Sequence, residues 1–84
     1  MKLPLIKHLV AFVEEHDEDY LVETLEVLEH TSEFGGLKDE EIDVLGELIS
    51  NLYGALEVNK DMKTGKEKRA ALNAFMQRVQ GSID

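Results

Sequence analysis

The strongest constraint in the sequence is a helical repeat of branched apolar residues near its middle. Five of them follow one another at alternating intervals of three and four residues: Ile42, Leu45, Ile49, Leu52 and Leu56. This spacing places all five on one side of an α-helix. Neighbouring apolar residues widen that side to about half of the circumference, at about 100° per residue. We therefore predict a long third helix over residues 39–62 with a wide apolar surface.

Two shorter helices are predicted before it. Pro4 is the only proline, and its fixed φ suits a first helical turn, so helix one is expected over about 4–16. Asp17 can cap a second helix that ends near Thr31. The Gly35–Gly36 pair then breaks the helical pattern, because glycine readily adopts the left-handed backbone.

A fourth helix is predicted after the long one. Thr64 and Glu67 match a capping box, in which each side chain satisfies a free backbone donor of the other residue, so helix four is expected to start there. Gly81 and Ser82 are expected to end it. The predicted fold class is therefore all-α: one domain over residues 1–84, a small four-helix arrangement of helical hairpins or a bundle around a long central third helix.

Charge and cysteine content exclude several classes of function. The 84-residue chain has a net charge of −9, which repels phosphate backbones, so neither DNA nor RNA is expected as a partner. It has no cysteine, which excludes disulfides and thiol chemistry and favours the cytoplasm for so small a domain. No segment is long and apolar enough for a signal peptide or a membrane span. We expect a soluble, unprocessed, cytoplasmic protein.

The charge is unevenly distributed along the chain. Residues 13–57 contain fifteen acidic residues and a single lysine, whereas residues 58–84 contain six basic and three acidic residues. Five of the basic residues surround the turn before helix four: Lys60, Lys63, Lys66, Lys68 and Arg69. This basic cluster can dock on the acidic face of helix two in the same molecule or in another one, or it can remain solvated.

No catalytic or cofactor signature is present. The three histidines lack the spacing of metal motifs, although Glu26 and His30 lie one turn apart and suit half of a divalent-metal site or an ion pair. The small acidic helical chain resembles an acyl carrier protein, but no serine stands in the Asp-Ser-Leu sequence to which that family attaches its phosphopantetheine arm. We predict that the protein is not an enzyme and holds no cofactor.

The long helix also carries a row of small residues. Gly46, Ser50 and Gly54 recur every fourth residue along one edge. A glycine inside a helix costs about 1 kcal/mol relative to alanine, so we expect a packing reason, such as the close approach of another backbone. Tyr53 lies beside this edge and is a residue type that interfaces favour. These four residues form the predicted interaction site.

The wide apolar side of helix three has two interpretations. Either the three other helices wrap around it, or part of it remains free to pair with another subunit. For two aromatic residues, Phe12 and Phe75, we predict a place in the core.

Four stretches of the sequence also carry a family resemblance. They are residues 1–8 (MKLPLIKH), 18–29 (EDYLVETLEVLE), 46–55 (GELISNLYGA) and 81–84 (GSID). Together they resemble a small uncharacterised family of Bacteroidetes proteins, a domain of unknown function, over nearly the whole chain. The resemblance implies that relatives are encoded beside thioredoxin-like and peroxiredoxin proteins. A cysteine-free domain would act there as a binding partner or a regulator.

The function predicted from the sequence is therefore a non-enzymatic protein-interaction or accessory module. It would act as a homodimer or by docking on a partner protein through helix three. The alternative is a protein that binds a divalent metal or a small ligand with carboxylates and histidine, with Glu26 and His30 as the candidate ligands.

Overall fold

The computed structural model describes residues 2–83, and the side chains of residues 2–79. It contains four helices: α1 (Leu3–Glu15), α2 (Asp19–Ser32), α3 (Asp39–Lys63) and α4 (Lys68–Ile83). No strand occurs in residues 2–83. The predicted all-α fold with a long third helix is confirmed.

α3 is the centre of the fold, because α1, α2 and α4 all pack against it. α1 begins beside the middle of α3, where the backbone N–H of Lys2 donates to Oδ1 of the buried Asn51 at 3.0 Å. It then runs parallel to the second half of α3. α2 begins beside the end of α3, since Lys63 donates to Glu18 at 2.6 Å, and returns in the opposite direction.

The core lies along the second half of α3. Every buried residue of α3 falls within residues 51–59. Eleven apolar side chains form the buried cluster: Ile6, Val10, Val13, Leu21, Leu25, Leu52, Ala55, Val58, Ala71, Leu72 and Phe75. All four helices contribute to it, so the domain is held together by packing around one segment of one helix.

The turn between α3 and α4 differs from the prediction. The Thr64 hydroxyl donates back to the carbonyl oxygen of Asp61 at 2.6 Å, so it caps no following helix. Gly65 comes next with φ of +103°, and its N–H donates to the last turn of α3 at 3.0 Å. This left-handed residue ends α3. The capping box predicted from Thr64 and Glu67 is wrong: α4 begins at Lys68, and it continues through the predicted stop to its last residue, Ile83.

Of the two aromatic residues predicted for the core, one is buried and one is not. Phe75 is buried, as predicted. Phe12 is 39% exposed and stacks on His16 with ring centroids 4.2 Å apart, while Tyr20 meets it edge-on. The prediction for Phe12 is wrong because α1 turns another side to α3. That side consists of three residues at helical spacing: Ile6, Val10 and Val13.

Candidate interaction surface

The first half of α3 is not covered by the rest of the molecule. No residue within 39–50 is buried. Three large apolar side chains in this half are substantially exposed: Ile42 at 46%, Val44 at 59% and Leu48 at 40%. The wide apolar side is therefore covered along one half of the helix and largely exposed along the other. The second half is wrapped by its neighbours, and the first half presents apolar surface to solvent.

A second stripe of α3 is unburied along almost the whole helix. Its members follow at intervals of four and three residues, and none of them is buried: Ile42, Gly46, Ile49, Tyr53, Leu56 and Lys60. This is the spacing of the a and d positions in a coiled coil, where one helix packs against another along a continuous line. We call these six residues the outer stripe.

The outer stripe lies between the flank of α3 that holds α2 and the flank that holds α4. On one flank, Asn59 Nδ2 donates to Glu18 Oε2 at 3.1 Å, just before α2. On the other flank, Gly54 contacts the ring of Phe75 in α4. Tyr53 lies about 120° around the helix from Asn59 and about 100° from Gly54, at 3.6 residues per turn. A further helix therefore has an angular gap to approach.

The predicted row of small residues is divided between the surface and the core. Gly46 is exposed, and a Cβ added there would meet no atom within 4 Å. A Cβ added at Gly54 would lie 2.9 Å from Cζ of Phe75 and 3.0 Å from Cδ1 of Ile6. The structure therefore places Gly54 inside the molecule, where it allows the close approach of α1 and α4, and not on an external surface. Ser50 is half-buried beside the outer stripe.

Tyr53 is held in place on the outer stripe by α2. Its hydroxyl donates to Glu29 Oε2 at 3.1 Å, and the residue is 45% exposed. The hydrogen bond to the Glu29 carboxylate raises the pKa of the phenol, and partial desolvation and the negative charge of Glu29 raise it further. The hydrogen bond to Glu29 thus links the exposed ring of Tyr53 to α2.

The two ends of α3 carry opposite charges. Three acidic residues occupy the first turn: Asp39, Glu40 and Glu41. Lys60 and Lys63 occupy the last turn. The helix dipole stabilises the acidic residues at its start and the lysines at its end. Lys63 forms an ion pair with Glu18 of the same molecule. Among the described side chains, Lys60 has no ion pair.

Part of the basic cluster docks on the same molecule. Besides the Lys63–Glu18 bridge at the start of α2, Lys68 reaches Glu14 of α1 at 2.7 Å. These two bridges hold the ends of α1 and α2 against the turn between α3 and α4. Both are partly solvated, and such bridges contribute about 0–1 kcal/mol each.

The candidate metal ligands do not form a site with other residues. Glu26 and His30 are both exposed on α2. Within the described residues, no group of three or more histidine, aspartate or glutamate side chains is placed to hold a metal ion. The pair alone offers two ligands to an ion that ordinarily takes four or more.

A polar pocket lies where α1 meets α2. It has a volume of about 400 Å³ and is lined by Val13, His16, Asp17, Glu18, Asn59 and Lys63. The two oxygens of Glu18 accept hydrogen bonds from Asn59 and from Lys63, so these three side chains are tied to one another. Asn51 and Asn59, the buried polar residues of the fold, were not predicted from the sequence, because an isolated asparagine within a helix ordinarily indicates a solvated position.

The comparison with known proteins identifies a family. A family model described as a family of unknown function, DUF6952, matches residues 1–84. The chain belongs to the DUF6952 family. The resemblance to a domain of unknown function is thus confirmed, whereas a Bacteroidetes origin stays a prediction. No curated protein and no solved structure matches this DUF6952 chain.

Within residues 2–83, which the structure describes, no helix combines the length and the apolar character needed to cross a membrane.

Proposed function

We propose that this DUF6952 protein is a non-enzymatic protein-interaction module that acts as a homodimer through the outer stripe of α3. The observation that carries the proposal is the stripe itself. Its coiled-coil spacing runs from Ile42 to Lys60. No member is fully buried, although Ile49 and Leu56 are half-buried against the core. A second helix along this line would remove exposed apolar surface from water, which favours association.

The charges of α3 favour a second copy as the occupant of the stripe. A partner helix must accommodate an acidic first turn at Asp39–Glu41 and the positive charge of Lys60 at the other end. Another copy of α3 carries both complementary ends at the right separation. Such electrostatic complementarity selects a partner and fixes its register.

The size of the domain also favours association. A chain of 84 residues buries a smaller fraction of its surface than a larger domain, and here the buried cluster contains only eleven apolar side chains. Because a partner that binds only the folded state stabilises it by mass action, a dimer would be more stable than the isolated chain.

Two further properties belong to the proposal. A cytoplasmic location is supported by the lack of cysteine in so small a domain. An accessory role beside a thioredoxin-like or peroxiredoxin protein, as the family resemblance implies, would be one of binding or regulation. It would use surface that the homodimer leaves free.

The test compares two substitutions on α3. Ile42→Ser removes an apolar side chain from the outer stripe, and Val44→Ser makes a matched change at an exposed residue off the stripe. Dimerisation would bury the exposed half of Ile42 in both copies, and each burial would stabilise the dimer by about 1 kcal/mol. The Ile42→Ser dimer is therefore expected to be about 30-fold weaker, and the Val44→Ser dimer close to wild type.

The measurement is the solution mass by light scattering and sedimentation equilibrium over a wide range of concentration. The wild-type chain is expected to approach twice its monomer mass of 9.5 kDa. Circular dichroism on each variant verifies that the helices persist. A wild-type chain that stays monomeric at every concentration would overturn the proposal. Equal weakening by the two serine substitutions would overturn the role of the outer stripe.

A further inference from the structure

Resting on the proposed function, we infer that the two copies of α3 pair in antiparallel orientation and in one register. The register is symmetric about residue 51, so that each contact occurs twice, as a twofold axis requires. Three pairs of residues from opposite copies define it: Ile42 with Lys60, Gly46 with Leu56, and Ile49 with Tyr53.

Charge determines the orientation. In a parallel pair, the acidic first turns at Asp39–Glu41 of both copies would lie side by side, and so would the two Lys60 residues. In an antiparallel pair, each acidic turn lies beside the lysine end of the other copy. Like charges at close range destabilise and opposite charges stabilise, so the antiparallel arrangement is favoured at both ends.

Side-chain size supports the register. Gly46 leaves open space above the helix, since no atom lies within 4 Å of an added Cβ. The antiparallel register places Leu56 of the second copy over that space, and it places the ring of Tyr53 against Ile49. At Gly46 a large residue thus meets a small one, in the manner of a knob in a hole.

The lack of cysteine permits a direct test by crosslinking, because every thiol in a variant is then an introduced one. In the antiparallel register, Ile42→Cys faces Lys60→Cys of the second copy. Two copies of the same single variant place their thiols about 27 Å apart, from eighteen residues at about 1.5 Å each. Disulfides need Cα atoms within about 7 Å of each other.

The double variant is therefore expected to form a covalent dimer under mild oxidation, and each single variant is expected to stay uncrosslinked. Covalent dimers from the single variants would indicate parallel pairing and overturn the inference. A dimer that crosslinks in none of the three variants would also overturn it. In both cases the mass of the unmodified protein still reports on the proposed function. A monomeric mass instead removes the proposal and the inference together.

A charge substitution provides an independent test that distinguishes the two orientations. Lys60→Glu places a carboxylate beside the acidic turn of the second copy, and is expected to weaken the dimer about tenfold. Lys66→Glu changes the net charge equally but lies outside α3, and is the matched control. In a parallel pair, like charges would face each other at position 60 before and after the substitution, so Lys60→Glu would weaken the dimer no more than Lys66→Glu. That result would refute the antiparallel register.

Discussion

Alanine substitution at the two mid-helix glycines of α3 separates packing from helix propensity. Gly46→Ala and Gly54→Ala make the same change in the same helix, and each gains about 1 kcal/mol of intrinsic helix propensity. At Gly46 the new methyl group meets nothing within 4 Å. At Gly54 it would lie 2.9 Å from Phe75 and 3.0 Å from Ile6, both closer than carbon atoms normally approach.

The magnitude follows from the difference between the two variants, because the propensity gain cancels. Overpacking of this kind typically costs about 1–3 kcal/mol. We expect Gly46→Ala to be stabilised by about 1 kcal/mol, and Gly54→Ala to be less stable than Gly46→Ala by about 1–3 kcal/mol. One kcal/mol corresponds to a shift of about 4–8 °C in Tm for a domain of this size, so the two variants separate clearly.

The assay is urea unfolding followed by circular dichroism at a protein concentration low enough that the chain is monomeric, because Gly46 lies on the outer stripe and its substitution would also change association. Urea slopes that match wild type would show that both variants unfold in the same two-state manner. Equal stabilisation of the two variants would refute the reasoning, because it would mean that α1 and α4 do not approach α3 at Gly54 as the structure describes.

Two further predictions concern hydrogen bonds across the fold. Asn51→Ala removes the acceptor for the backbone N–H of Lys2 and should cost about 1–3 kcal/mol in denaturant unfolding, whereas Asn73→Ala on the exposed side of α4 should change stability by less than about 0.5 kcal/mol. Glu29→Gln should lower the pKa of Tyr53 towards the usual tyrosine value of about 10, since the negative acceptor that favours the neutral phenol is removed. Ultraviolet titration measures that pKa, and an unchanged value would show that the carboxylate does not hold the phenol.

The helices were predictable because their signals are local. Apolar spacing and the single proline predict α1 and α3 to within a few residues of their observed bounds. The start of α4 was not predictable in the same way, because Thr64 offers its hydroxyl equally well to a following helix or to the preceding one. The glycine at 65 favoured the second outcome: with φ of +103° it ends α3, and no helix can begin at that point.

The contents of the core depend on which side of each helix faces its neighbours, and local spacing does not determine that. Phe12 belongs to the apolar side of α1 in the sequence, but the buried side is formed by Ile6, Val10 and Val13. Phe12 lies about 100° or more around the helix from each of them. Asn51 is buried among apolar residues because the start of α1 needs an acceptor there. Both outcomes follow from the relative rotation of two helices, which is a property of the packed structure.

The width of the apolar side of α3 is explained by the structure and not by the sequence pattern alone. Its five branched residues read as one stripe, yet Leu52 is buried, Ile49 and Leu56 are half-buried and Ile42 is exposed. The width arises because two adjacent stripes overlap on one helix. The first faces α1 and α2 and is filled by them along the second half of α3. The second runs along the outside, where Ile42 and Tyr53 are exposed and where Ile49 and Leu56 are only partly covered by the protein's own helices.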